Sequence, residues 1–548
     1  MSKEGVTQGD NEAMAMYAIS TRGLQDDLKA AEPDVTQTWF ADDNAAGARI
    51  SSLKSYWDTI NNIGPPYGFH PKASKCILIV KDAEMREQAE ASFAGTGVRI
   101  TTEGERHIGA ALGSEAFKLS FVNAKVEKWV QDVEELARIA EEEPQCALSA
   151  FNYGLSRRWS FVQRTITGIG ELFNPLEYSI RHRLIPALIG RQVSELERRL
   201  LALPYRFGGL GIRNPTLTAQ PEYEASCKVT EDLTDLIYQQ ETDITRLDTE
   251  AVREKKSEVR VAKEALLKNE AKDIADMLDE KQRKMFVCAS EKGASSWLSA
   301  LPLKKLGYVL NKQDFRDAIC LRYGWQIPRT PAYCGCGKKN DFDHILTCKK
   351  GGYVSMRHNV LRDVEAALLT RVCSDVKVEP SLLPTDEERT TGNTALGARL
   401  DISARGIWSR CEKTFMDVRI THPTSQSHMR KSMETLYREN EREKKSLYND
   451  RIINTERGTF TPLVFSTTGG MAPECTRLNK RVAELIASKT GEAYSHIIKF
   501  LRTRLRFALL RCTVIAVRGT RGKTFARKEM DVGEISFNLI PEAPENDD

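Results

Sequence analysis

Residues 397–423 read GARLDISARGIWSRCEKTFMDVRITHP. Two short apolar runs flank a Gly-containing turn, which predicts two strands with Asp401 at the end of one and Asp417 at the end of the other. Fifteen residues lie between the two aspartates, enough for a hairpin to bring both carboxylates to one edge. Two carboxylates with a nearby ammonium group suit Mg²⁺-dependent phosphodiester hydrolysis: the carboxylates bind the metal and the ammonium steadies the developing negative charge. The plainer alternative is a pair of solvated strand-end aspartates. Downstream, TPLVFSTTGG at 461–470 reads as a third strand entering a Gly turn.

Upstream lies YCGCGKKNDFDHILTCKKGG, residues 333–352, in which Cys334, Cys336, His344 and Cys348 form a C-x-C-x₇-H-x₃-C pattern. Three thiolates and an imidazole have the number and softness of a tetrahedral structural Zn²⁺ site, with Gly335 and Gly337 expected to allow the tight turn. Lys338, Lys339, Lys349 and Lys350 flank it and would face phosphates. His358, just beyond, reads as a structural helix residue rather than a fifth ligand. Near the C-terminal end, KFLRTRLRFALLRC puts Lys499, Arg502 and Arg506 on one helical face, suited to a DNA backbone.

The N-terminal region mixes short apolar runs, such as CILIV at 76–80, with amphipathic segments and Gly-containing turns, an α+β pattern. Its WFADDNAAG, residues 39–47, sets Asp42 beside Asp43. In a strand-turn-strand such a pair can hold Mg²⁺ with help from a carboxylate on another strand; the alternative is an acidic turn. From 121 to 200 the periodicity becomes helical, and 157–213 carries ten Arg against four Glu. The Gly-rich LPYRFGGLGIRNP ends that stretch, and residues 222–287 read as a solvated, charge-rich helical connector.

At 548 residues the chain has room for several domains. Its hydrophobic fraction of 41% and charged fraction of 28% place it with soluble globular proteins. No secretory signal or membrane-length apolar run is evident, so the expectation is a nuclear or cytoplasmic protein with no membrane partner and with cysteines reduced outside the 334–348 cluster.

Taken in order, these segments resemble the site-selective non-LTR retrotransposon proteins. EGVTQGDNEAMAMYAI, WFADDNAAG, YGFHPKASKCILIVK and RHIGAALG are similar to successive palm blocks of a reverse transcriptase, with Phe40 where the family commonly has Tyr. The Cys-Cys-His-Cys knuckle precedes a stretch resembling the restriction-like PD-(D/E)-x-K endonuclease, with Leu400 in place of the Pro and Arg419 where the Lys would stand.

The resemblance implies a multidomain α+β/α protein. A partial palm would occupy 1–120, a helical thumb 121–215, a helical connector 216–330 and the zinc knuckle 331–352. A restriction-endonuclease-like α/β domain would follow at 353–528, with an acidic disordered tail at 529–548. It implies Asp42 and Asp43 as polymerase carboxylates, Gln8 and Gly9 placing template and nucleotide, and Lys75 near the phosphates. Arg157, Arg158 and Arg164 would grip the duplex backbone. Asp401 and Asp417 would be the nuclease carboxylates, Lys444 or Lys445 in NEREKKSLYNDRI the displaced lysine, and Glu365 an additional acid.

The family role is target-primed reverse transcription: the nuclease nicks DNA and the polymerase copies RNA from the exposed 3′ hydroxyl. RNA template, target DNA, dNTPs, Mg²⁺ (or Mn²⁺) and Zn²⁺ are the implied partners and cofactors. The block carrying the remaining palm Asp has no counterpart before Gly5, and Asn11 and Glu12 depart from the family pattern. The expectation is therefore a reverse transcriptase/endonuclease fragment with no polymerase activity of its own. The competing class is a non-catalytic nucleic-acid-binding retroelement protein, decayed or host-adopted.

Overall fold

The structure is a computed structural model describing residues 11–241, 248–391 and 399–519. Gln8, Gly9 and the acidic tail lie outside the described residues. The chain divides into two compact units of mixed α/β structure. One comprises the described parts of 1–132, 156–178 and 214–264; the other takes 133–155, 179–213 and 265–548. The stretch expected as one helical thumb, 121–215, is indeed rich in helix but is shared between the two units.

In the first unit, helix α1 (Ala13–Ala31) precedes strands β1 (Thr36–Phe40) and β2 (Asp43–Gly47) and helix α2 (Ile50–Ile63). Aromatic and β-branched residues favour strand in TQTWF, and β1 and β2 pair antiparallel from Thr36↔Gly47 to Phe40↔Asp43. Only Ala41 and Asp42 make the turn, and Ala41 takes φ +53°, the left-handed geometry that so short a connection demands. Leu24 and Leu28 from α1, Val35, and Tyr56 and Ile60 from α2 form the core beneath this hairpin. Trp39 joins it edge-on to Phe69, ring centroids 5.1 Å apart. Further along come a parallel pair, β3 (Ile77–Ile79) and β4 (Arg99–Thr101), and an antiparallel pair, β5 (Gly104–His107) and β6 (Ala110–Gly113).

The second unit centres on a four-stranded mixed sheet. Its strands are β7 (Ser374–Val378), β8 (Ile402–Arg405), β9 (Lys413–Thr421) and β10 (Thr459–Ser466), in the order β10-β9-β8-β7. β8 runs antiparallel to both β7 and β9, whereas β9 and β10 are parallel. Parallel neighbours need a long crossover, supplied here by helix α8 (Met433–Arg451). The middle of β9 and nearly all of β10 are buried, which is why both read as near-continuous apolar runs. Pro462 is tolerated inside β10 because that strand lies at the sheet edge.

Six further helices frame the sites of this unit: α4 (Glu280–Ala289), α5 (Lys312–Tyr323), α6 (Phe342–Thr347), α7 (Tyr353–Leu369), α9 (Pro473–Thr490) and α10 (Tyr494–Arg518); α3 (Pro215–Tyr238) belongs to the first. α7 lies against β7, β8 and β9, α8 and α9 lie against β10, and α10 packs on α7 and α9. Leu400, the residue standing where the resemblance expects Pro, is buried with Phe415, Ile452 and Phe460.

Glu365, expected as an additional acid of the carboxylate site, points elsewhere. It is fully buried on α7 and accepts a 3.1 Å hydrogen bond from Asn479 Nδ2 on α9. Burial pushes its carboxyl up to about 7. Above the ordinary Glu range of about 4.3 the unfolded chain has lost this proton while the folded chain still holds it, so stability falls as pH rises from there to about 7. Glu365→Gln is expected to remove that slope and to gain roughly 3 kcal/mol over wild type at about pH 8 but little at about pH 5. Urea midpoints at the two pH values check it.

Candidate functional site

Ile402 pairs with Met416 across the β8/β9 ladder, so extending that register by one residue sets Asp401 opposite Asp417. Asp417 therefore stands within β9, not at a strand end as expected, and is buried; Asp401, just before β8, is half-buried. Asp401 Oδ2 accepts the Val418 backbone N–H at 2.7 Å, so a side chain continues the ladder where β8 stops. His358 Nε2 of α7 lies 3.2 Å from the same oxygen and 3.1 Å from Val418 O. On the other carboxylate, Lys444 Nζ of α8 lies 2.5 Å from Asp417 Oδ2. These contacts leave Oδ1 of each aspartate without a bond from any described side chain.

Of the two candidate lysines, Lys444 thus reaches Asp417 and Lys445 does not, being paired with Glu474 at the start of α9. Their difference is one helical step: adjacent residues on a helix diverge by about 100°, so only one can face the sheet. Arg419, two residues after Asp417, turns outward to Glu443 at 2.8 Å. Burial raises the Asp417 carboxyl, Lys444 draws it down, and the nearby Asp401 charge raises it again, leaving it above the usual Asp range. His358 is raised by its bond to Asp401 against the opposing effect of burial. Sequence reasoning took it for a scaffold residue; the available signal was a histidine among the apolar positions of the helix preceding the strands.

The second cluster is the knuckle. Ligand atoms of Cys334, Cys336, His344 and Cys348 all lie within 4.8 Å of one another. Cys334 Sγ is 3.8 Å from Cys348 Sγ, and Cys336 Sγ is 3.2 Å from His344 Nε2. Tetrahedral Zn²⁺ with Zn–S near 2.3 Å and Zn–N near 2.0 Å needs ligand separations of about 3.4–3.8 Å, so the donor set fits with little movement.

Its backbone is a small hairpin. Cys334 N–H donates to Lys338 O, Gly337 N–H donates to Cys334 O, and Gly337 takes φ +88° while Gly335 needs no positive φ. Asp341 caps α6 by accepting the His344 N–H at 2.8 Å, which fixes the imidazole on the first turn. Burial alone would raise the Cys334 thiol, but the Cys336 amide and the His344 ring bring it down to about 6, favouring the thiolate that a metal needs. Lys338, Lys339, Lys349 and Lys350 are exposed around the cluster, and Lys350 also bonds Gly335 O.

A third group, absent from the sequence reading, ties the knuckle helix to the sheet. Asp343 Oδ1 accepts from His422 Nε2 at 2.8 Å and from Thr424 Oγ1 at 2.7 Å, while its Oδ2 meets Lys281 Nζ at 2.8 Å. His422, buried just past β9, also meets Thr467 Oγ1 just past β10 at 2.9 Å. Burial keeps this imidazole below its ordinary pKa despite the Asp343 carboxylate.

The remaining expected residues are less convergent. Asp42 and Asp43 are exposed at the β1/β2 turn, and Lys75 is exposed at the end of a short 3-10 turn. Among the described residues no third His, Cys, Asp or Glu completes a metal-holding group with either aspartate pair. Arg157 is exposed, Arg158 pairs with Asp132 at 2.7 Å, and Arg164 with Glu222 at 3.3 Å. Of the three expected α10 cations only Lys499 is exposed; Arg502 is half-buried and Arg506 is buried, donating Nε–H to Ala294 O at 3.0 Å. The expected row of three solvent-facing cations is thereby corrected to one exposed residue, Lys499, because the apolar face of α10 spans the position of Arg506. Among the described residues no helix is long and apolar enough to cross a membrane.

Neither a protein-family model nor a curated protein matches this chain.

The knuckle is expected to carry one Zn²⁺ per chain by metal analysis. Cys336→Ser should lose the metal and lower the unfolding temperature; full-length protein purified metal-free, or an unchanged zinc content in Cys336→Ser, contradicts the assignment.

Proposed function

We propose that the chain is a retrotransposon-derived reverse transcriptase/endonuclease polypeptide whose second unit hydrolyses DNA phosphodiesters. The observation carrying this reading is the convergence of Asp401, Asp417 and Lys444 on two adjacent strands and the following helix. The order of segments, with the Cys-Cys-His-Cys cluster just before the sheet, supports it.

In this reading the Oδ1 atoms of Asp401 and Asp417 hold Mg²⁺ or Mn²⁺. When bound, the metal supplies Lewis-acid polarisation of a phosphoryl oxygen and lowers the pKa of bound water. Lys444 places its ammonium where negative charge grows on the scissile phosphate. His358 and the Val418 N–H pin Oδ2 of Asp401, which fixes the direction of Oδ1. The knuckle holds Zn²⁺ as a structural ion, with its lysines and Lys499 as contacts to the DNA backbone.

For the first unit the proposal is that Asp42 and Asp43 form a polymerase-type carboxylate pair, with RNA template and dNTPs as the family's substrates. Primer extension on RNA by the purified chain, if abolished by Asp42→Ala, would establish polymerisation; none is expected, because no third carboxylate joins the pair among the described residues.

The nuclease reading is tested on supercoiled plasmid with Mg²⁺ or Mn²⁺. Wild type should nick the plasmid, and Asp401→Asn or Asp417→Asn should slow nicking by at least about 10²-fold. Lys444→Ala should cost roughly 10²-fold and Lys445→Ala only a few-fold. Absence of metal-dependent nicking in wild type leaves a non-catalytic nucleic-acid-binding protein instead, and nicking retained in Asp417→Asn overturns the assignment of this site.

A further inference from the structure

An enclosed cavity lies behind the knuckle helix in the second unit. Phe342 of α6, Thr467 and Thr468 of the turn after β10, Arg322 of α5, and Arg506 and Thr513 of α10 line it, together with apolar side chains including Leu346 and Leu510. Both arginines are buried, at 6% and 7% exposure. Arg322 Nη2 donates to Ser295 Oγ at 2.8 Å, but its Nε is buried without a partner. Arg506 spends Nε on Ala294 O, and its Nη1 is likewise buried without a partner.

No carboxylate among the described residues pairs with either guanidinium. Burial and the charge of Arg322 bring Arg506 down to about 9, which still leaves it protonated at neutral pH. Two like charges taken out of water without a counter-ion are expensive, and guanidinium does not shed its proton to escape the cost. The backbone also makes room for this arrangement: Gly469 has φ +101° and packs directly against the Arg506 side chain, where a Cβ would collide with it. The cavity is small, with room for a water or a small inorganic anion.

We propose that this cavity is a binding site for a small monatomic anion of chloride size, held between Arg322 and Arg506 and walled in part by Thr467, Thr468 and Thr513. The anion would offset one of the two buried positive charges at the joint of the knuckle helix, the β10 turn and α10. The site does not depend on nuclease activity.

Full-length protein is unfolded thermally in sodium chloride and in sodium gluconate at equal ionic strength. Wild type should unfold a few degrees higher in chloride, and Arg506→Met should show no difference between the salts. Should Arg506→Met fail to fold, Thr468→Val, which keeps both cations, is expected to reduce the chloride increment. Crystals grown in bromide should show an anomalous peak between the two guanidinium groups. Equal midpoints in the two salts for wild type, an undiminished increment in the folded variant, or a water without anomalous signal in the cavity each overturn the proposal.

Discussion

The bond from the Val418 N–H to Asp401 Oδ2 is the constraint on which the second unit's arrangement turns. β8 is only four residues long, and beyond Ile402 its backbone no longer supplies the ladder. A carboxylate takes over as acceptor, so the residue that continues the pairing is the same residue that bears the charge. Because strand register cannot slip by one without turning every side chain to the other face, this bond also fixes Asp417 opposite Asp401. α7 and α8 then approach the same two residues, bringing His358 and Lys444.

Much of this was legible in the sequence because period-two and period-3.6 patterns are local. The strands at 402–405, 413–421 and 459–466, the Gly turn after the last, and the helices between them follow from apolar runs and punctuating residues. The Cys-His cluster was legible for a similar reason, since its four ligands fall within fifteen residues. What sequence could not supply was tertiary choice. Lys444 and Lys445 are equivalent on paper and are separated only by which way the helix faces. Arg506 has the spacing of a DNA-facing row, yet α10 is buried along that line. Glu365 lies on the helix that carries His358 but packs toward Asn479, and nothing in RDVEAALL distinguishes the two orientations.

Asp343, His422 and Thr467 show a different kind of limit. They come from the knuckle helix and from the loops after two strands, 79 and 45 residues apart in sequence, and none belongs to a recognisable motif. Their hydrogen bonds make the metal cluster and the sheet one polar network. Buried polar networks of this sort cost more when half made than when fully made, which favours an all-or-none docking of the knuckle onto the sheet. Disruption of the Cys-His cluster would therefore be felt at the ends of β9 and β10, not only at the cysteines.

Lys444 has one more consequence. Two carboxylates facing each other across a ladder repel, and a site that relied on a divalent ion to quench that repulsion would exist only in loaded protein. An ammonium 2.5 Å from Asp417 is a resident placeholder, already part of the polypeptide. The chain can assemble the strands, the register and the facing aspartates in metal-free surroundings and wait in that state. In the proposed nuclease reading, an arriving divalent cation would find both carboxylates already in register and would share Asp417 with its amine.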